Sequence, residues 1–109
     1  MAETKYWHYR LTQGDRIWDE PLLRGGATVC AVIEGNRIRI GAAVCSLKDA
    51  FCRKTGRDVA REAAANVETC MTIEPVPDRQ LLHVILNDLV AKKMAAIYRQ
   101  PMVVHQGEY

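Results

Sequence analysis

"TVCAVIEGNRIRIGAAVC", residues 28–45, decides the fold. A β-branched run leads to Glu34, and Gly35-Asn36 supplies a turn pair. From Arg37 to Ile40 charged and apolar residues then alternate strictly. Two such runs around a Gly-Asn pair specify a β-hairpin. Ile38 and Ile40 face one side and Arg37 and Arg39 the other, because successive strand residues point to opposite faces. Gly41-Ala42-Ala43 continues the second strand without bulk, so another chain or a ligand can approach closely there.

Working outward, KYWHYRLT (residues 5–12) mixes aromatic and polar residues in alternation and reads as a strand. Trp7 and Tyr9 share one face, and Tyr6 and His8 share the other. One face belongs to the core, and the other can supply an aromatic wall. Gly14-Asp15 signals a turn, and a short extended segment at 16–18 is interrupted by Pro21. After the hairpin, Ser46 is placed to cap a helix, and 48–54 is helical in character. Gly56 costs about 1 kcal/mol in a helix interior and marks a kink or a junction to a second helical piece at 57–67. CMTIE (70–74) is a short strand ended by Pro75 and Pro77. Asp78 then stands at an N-cap. The helix that follows runs to about Arg99, with Leu82, Ile85, Leu86, Leu89, Met94 and Ile97 at helical spacing. Leu81, Val84 and Val90 widen its apolar face beyond one stripe, which points to self-association. The tail, MVVHQGEY, adds a final short strand or wraps a neighbour. The whole is a single α+β domain over 1–109: an antiparallel sheet with a central hairpin, and two or three helices on one face or at one end.

Composition sets the limits. A chain of 109 residues supports one modest core, and 49% hydrophobic with 26% charged residues excludes general disorder. The net charge of +2 does not by itself indicate nucleic acid, so any attraction for anions must come from local clustering. No apolar run approaches the ~20 residues of a membrane helix, and the N-terminus lacks the pattern of a signal peptide. A cytoplasmic location without membrane contact is the expectation. The cysteines, Cys30, Cys45, Cys52 and Cys70, contain no C-x-x-C pair and are expected to be reduced, packing as small hydrophobes. Cys45, Cys52 and His83 match no standard zinc spacing.

The residues that bear chemistry are mainly arginines. Arg53, Arg57 and Arg61 are four apart, and each such step advances about 40° around a helix. They form a slanting row beside the side marked by Val59, Ala60, Ala63, Ala64 and Val67. Guanidinium groups at the border of an apolar surface are partly desolvated, where a bidentate phosphate contact becomes worthwhile. The competing reading is ordinary surface pairing with Asp49, Asp58 or Glu62. Phe51 is either a core residue or a ring that stacks on a base. Arg24-Gly25-Gly26 is a weak candidate phosphate cradle, since glycines let backbone N–H groups approach an anion. Gly26 and Thr28, at the entry to the hairpin, complete the candidate ligand-binding set. Support for catalysis is slight: His8, His83 and His105 are scattered, and no acid/base pair stands out.

The stretch "RGGATVCAV…GNRIRIGAAVCSLKDAFCRKTGRDVARE" (24–62) resembles small phage proteins with the pattern G-x-A-x-C-S-x-K-D-x-F-x-[RK]-K-x-G-R-x-[IV]-A. These are phage anti-defence sponges directed against Thoeris immunity. The resemblance spans about a third of the chain. It implies an oligomeric β-sheet and helix protein in the infected cell that binds cyclic ADP-ribose-type signals, and in some cases cyclic oligonucleotides, without degrading them. No cofactor and no DNA partner are implied. Arg57 and Arg61 would then grip phosphate, and Phe51 or an N-terminal aromatic would stack on the base. Arg61-Glu62-Ala63 departs from the Gly-Arg that follows Ala60 in the pattern, and the long helix after Asp78 has no counterpart in it. The rival reading is a small phage inhibitor, anti-CRISPR-like, that binds a host defence protein or a nucleic-acid complex.

Overall fold

The computed structural model describes residues 2–11, 24–46, 48–98 and 104–108, the last segment and Leu11 as backbone only. The hairpin is present as expected. Strand β2 (Ala27–Glu34) pairs antiparallel with β3 (Arg37–Val44) in a register that sets Glu34 opposite Arg37 and Ala27 opposite Val44. Gly35 at the turn has φ 59, a left-handed conformation that glycine adopts without penalty. Strand β1 (Ala2–Leu11) pairs with the other edge of β2, β4 (Met71–Ile73) with β3, and β5 (Val104–Glu108) with β1. The five strands lie in the order β4-β3-β2-β1-β5, with every pairing antiparallel. The tail thus forms the short strand anticipated for it. The extended segment expected at 16–18 lies outside the described residues.

The helices depart from expectation in two ways. Helix α1 (Arg53–Ala65) is continuous through Gly56, and 48–52 is not helical. Cys52, in extended conformation, precedes the first turn in place of Ser46. Nor do the helices share a face. Trp7, Tyr9, Val29, Ile38 and Ile40 meet Leu86, Val90 and Met94 of α2 (Arg79–Tyr98) in one apolar layer. Cys30, with Tyr6, Val32 and Ala43, meets Ala60 and Ala64 of α1 on the opposite side. The sheet is therefore covered on both faces, which explains why β1 buries Trp7 and Tyr9 together with His8 between them. In α2 the buried positions Leu82, Leu86, Val90 and Met94 recur every four residues. Leu81, Val84 and Ile97 remain half or more exposed. Asp78 caps this helix as anticipated, its Oδ1 accepting the Leu81 N–H at 2.8 Å.

The α1 layer is thin because its contact residues are small. A Cβ added at Gly41 would fall on the backbone N of Ala64 and 2.5 Å from the Ala60 carbonyl oxygen. One added at Gly56 would strike the Thr28 hydroxyl. Gly56 is therefore a packing residue, and the approach anticipated at residues 41–43 is made by this chain's own helix. Val59 (48% exposed) and Val67 (84%) do not belong to the buried side, contrary to the sequence reading. Gly41→Ala should lose about 1–3 kcal/mol in urea unfolding, since the atoms it meets are backbone and cannot swing aside. Gly35→Asn should lose under about 1 kcal/mol, because Asn tolerates the left-handed region and the space there is open.

Candidate functional site

The side chains with the most chemical potential gather where the first turn of α1 crosses the ends of β1 and β2. His8 is fully buried, and its Nδ1 shares a hydrogen bond with Thr28 Oγ1 at 3.0 Å. Its ring meets Phe51 edge-on, with centroids 5.7 Å apart. The guanidinium of Arg10 lies 4.5 Å from the centre of the Phe51 ring, within cation–π range. Burial first, and then the charges of Arg53, Arg57 and Arg10, push the His8 imidazole down to about 4. At neutral pH three guanidinium groups therefore surround an uncharged imidazole. Arg57 is half-buried and makes no hydrogen bond or ion pair among the described residues.

The predicted row of arginines thus divides. Arg53 and Arg57 turn toward His8. Arg61 instead reaches Asp58 at 3.2 Å, an exposed pairing that Lys54 shares at 3.4 Å. Such surface pairs contribute little and open readily. Arg10, on the same face of β1 as His8, completes the cluster. Sequence reading missed it, although two-residue alternation from His8 places it there.

Across α1 from this cluster, toward β3, lies a cavity of about 440 Å³. Its walls are small or apolar: Ala27, Ala43, Phe51, Gly56 and Val59, with Thr28 at its back. None of Arg53, Arg57, Arg61 and Arg24 lines it, and its acidic residue is Asp49. Phe51 and Thr28 are therefore the hinge between two compartments, one cationic and one apolar. Two thiols border the apolar one. Cys52 is fully exposed, and its thiol is pushed down by the Thr55 hydroxyl, 3.4 Å away. Burial pushes Cys45 up.

The Arg24-Gly25-Gly26 segment is not arranged as a phosphate cradle. The Gly25 N–H donates to the Asp49 carbonyl at 3.2 Å, and the Gly26 N–H donates to the Tyr98 hydroxyl at 3.1 Å. Both donors are committed within the chain. Gly26, at φ 105, instead makes room for Phe51, whose Cδ2 would lie 2.9 Å from an added Cβ. Tyr98 donates to the Cys45 carbonyl at 2.5 Å, so the last residue of α2 ties the start of β2 to the end of β3. Arg24 is exposed and donates to the Lys48 carbonyl at 3.2 Å.

All four cysteines are free, and no cluster able to hold a metal occurs among the described residues. No described helix is long and apolar enough to cross a membrane. Comparison with known proteins finds no matching family model, curated protein or solved structure.

The depressed His8 sets a pH dependence of stability. Folded, His8 takes up its proton near pH 4; unfolded, it does so near the ordinary 6.5. Between these values the unfolded chain holds the extra proton, so stability is complete above about 6.5 and falls as the pH drops toward 4. The loss should be on the order of 3 kcal/mol. Urea unfolding at pH 7 and pH 4.5 measures it, and His8→Gln should remove most of the difference.

Proposed function

We propose that the protein binds a phosphorylated cyclic nucleotide, of the cyclic ADP-ribose type or a cyclic oligonucleotide, and sequesters it uncleaved. The observation that carries this reading is Arg57: a half-buried guanidinium, unpaired among the described residues, that joins Arg53 and Arg10 around neutral His8. Cations held together in a partly desolvated site repel one another, and a phosphate between them relieves that repulsion while accepting several charge-assisted hydrogen bonds. The apolar cavity beside Phe51 and Thr28 offers a place for a base or a ribose, with a ring at the junction of the two compartments. Such a binder requires no nucleophile, and we assign no catalytic residue. Its setting would be the cytoplasm of an infected cell, as the likeness of residues 24–62 to anti-Thoeris sponges implies.

We further read the protein as a homo-oligomer. Leu81, Val84 and Ile97 on the outside of α2 are large, apolar and uncovered in the single chain.

Calorimetry and thermal unfolding with cyclic ADP-ribose isomers and cyclic oligonucleotides test the reading. Ligand at a hundredfold above Kd should stabilise the fold by about 2.7 kcal/mol, and heating should release it chemically intact. Arg57→Ala should weaken capture by at least a hundredfold with the fold and the oligomer preserved. Arg61→Ala should cost tenfold or less, since Arg61 must first leave Asp58. Normal binding by Arg57→Ala would refute the site. A chain that responds to none of these ligands but captures a host defence protein would be an inhibitor of the anti-CRISPR kind.

A further inference from the structure

Two of the four free thiols open on the same space. Cys45 follows β3 and Cys52 precedes α1, and both line the cavity of about 440 Å³ beside Phe51. Their backbones are anchored. The Cys45 N–H donates to the Gly26 carbonyl at 2.8 Å, and the Cys52 carbonyl accepts the Gly56 N–H at 2.9 Å. The chain between them doubles back. Cys45 Sγ lies 3.5 Å from the Asp49 carbonyl oxygen and 3.7 Å from that of Ala50, so it is turned toward the segment that leads into Cys52. Burial first, and then the charges of the Asp49 carboxylate and of Cys52, push the Cys45 thiol up.

The pair is chemically unequal. Cys52 is exposed, and its sulfur accepts the Thr55 hydroxyl at 3.4 Å, which favours the thiolate. The positive end of α1 acts in the same direction. Cys45 is half-buried and stays protonated. Its S–H, a weak donor, meets only the carbonyls of Ser46, Asp49 and Ala50, at 3.5–3.7 Å, and nothing strong holds it in place. An exposed thiolate beside a protonated thiol is the arrangement that thiol–disulfide exchange requires, one sulfur to attack and one to resolve. Neither Cys30 nor Cys70 lines this cavity.

We propose that Cys52 and Cys45 form a thiol–disulfide exchange centre at the cavity wall, with Cys52 the attacking sulfur, Cys45 the resolving one and a low-molecular-weight disulfide the co-reactant. The Cys52 thiolate attacks one sulfur of that disulfide, forms a mixed disulfide and expels the other half as a thiolate. The expelled thiolate takes the Cys45 proton. Cys45 then attacks the Cys52 sulfur and expels the second half. The two protein thiols are oxidised to one bridge, and the small disulfide is reduced to two thiols. A bridge at an exposed site is of the labile kind, which a reducing thiol pool opens again. The proposal does not depend on which ligand the cavity takes.

Glutathione disulfide, added to the reduced full chain at neutral pH and followed by acid quench and peptide mass mapping, tests it. Cys52 should be modified at least tenfold faster than Cys70, and the mixed disulfide should give way to a bridge between residues 45 and 52. Cys45→Ser should stop at the mixed disulfide on Cys52. Thr55→Val should slow the first attack severalfold and still bridge. In the wild-type chain unfolded in urea, the rate advantage over Cys70 should vanish. A Cys52 no faster than Cys70 overturns the proposal, as does a wild-type mixed disulfide that persists as it does in Cys45→Ser. An advantage that survives in urea would belong to the neighbouring sequence and not to the fold, and equally overturns it.

Discussion

The architecture depends on how closely α1 lies against the sheet. Gly41 on the strand side and Gly56, Ala60 and Ala64 on the helix side leave little side-chain volume between the two backbones. That proximity lets the base of α1 press on Thr28, and Thr28 in turn holds His8. A larger residue at either glycine would lift the helix, part Arg53 and Arg57 from Arg10, and open His8 to water. The charge cluster is thus a result of steric emptiness beneath it. Dispersion contacts between small groups are individually weak, but backbone-to-backbone packing adds many of them and loses little side-chain entropy.

Much of this was legible in the sequence. The hairpin announced itself through Gly35-Asn36 and the alternation at Arg37–Ile40. Asp78 after two prolines marked the start of α2, because its chemistry is local. What escaped was set by tertiary packing. Gly56 has a poor helix propensity, which suggested a break. Contact with Thr28 overrides that preference, and the helix runs straight through. Ser46 looked like a cap, yet 48–52 is not helical, with Arg24 bridged to Ala50. The placement of helices on both faces has one local sign: β1 is aromatic at consecutive residues, Tyr6 through Tyr9, a pattern proper to a strand covered on both sides.

The candidate site was half visible. Spacing along α1 identified Arg53 and Arg57 as neighbours and offered Asp58 as a surface partner, which Arg61 takes, but it gave no sign that Arg10 would join from β1. Glycines at 25 and 26 suggested an anion loop. Their donors go instead to Asp49 and Tyr98, and Tyr98 lies more than seventy residues away in sequence. Local motif reading has no access to such a partner. His8 is the clearest case of chemistry hidden from sequence: one histidine among scattered ones is held neutral first by burial and then by the charges of three arginines.

The hinge position of Phe51 has a corollary for substitution. The residues that set the spacing of α1, at 41, 56, 60 and 64, differ from those that set its charge, at 10, 53 and 57. Substitution at the charged positions can therefore retune the electrostatics around His8 while the contacts that hold α1 to the sheet stay fixed.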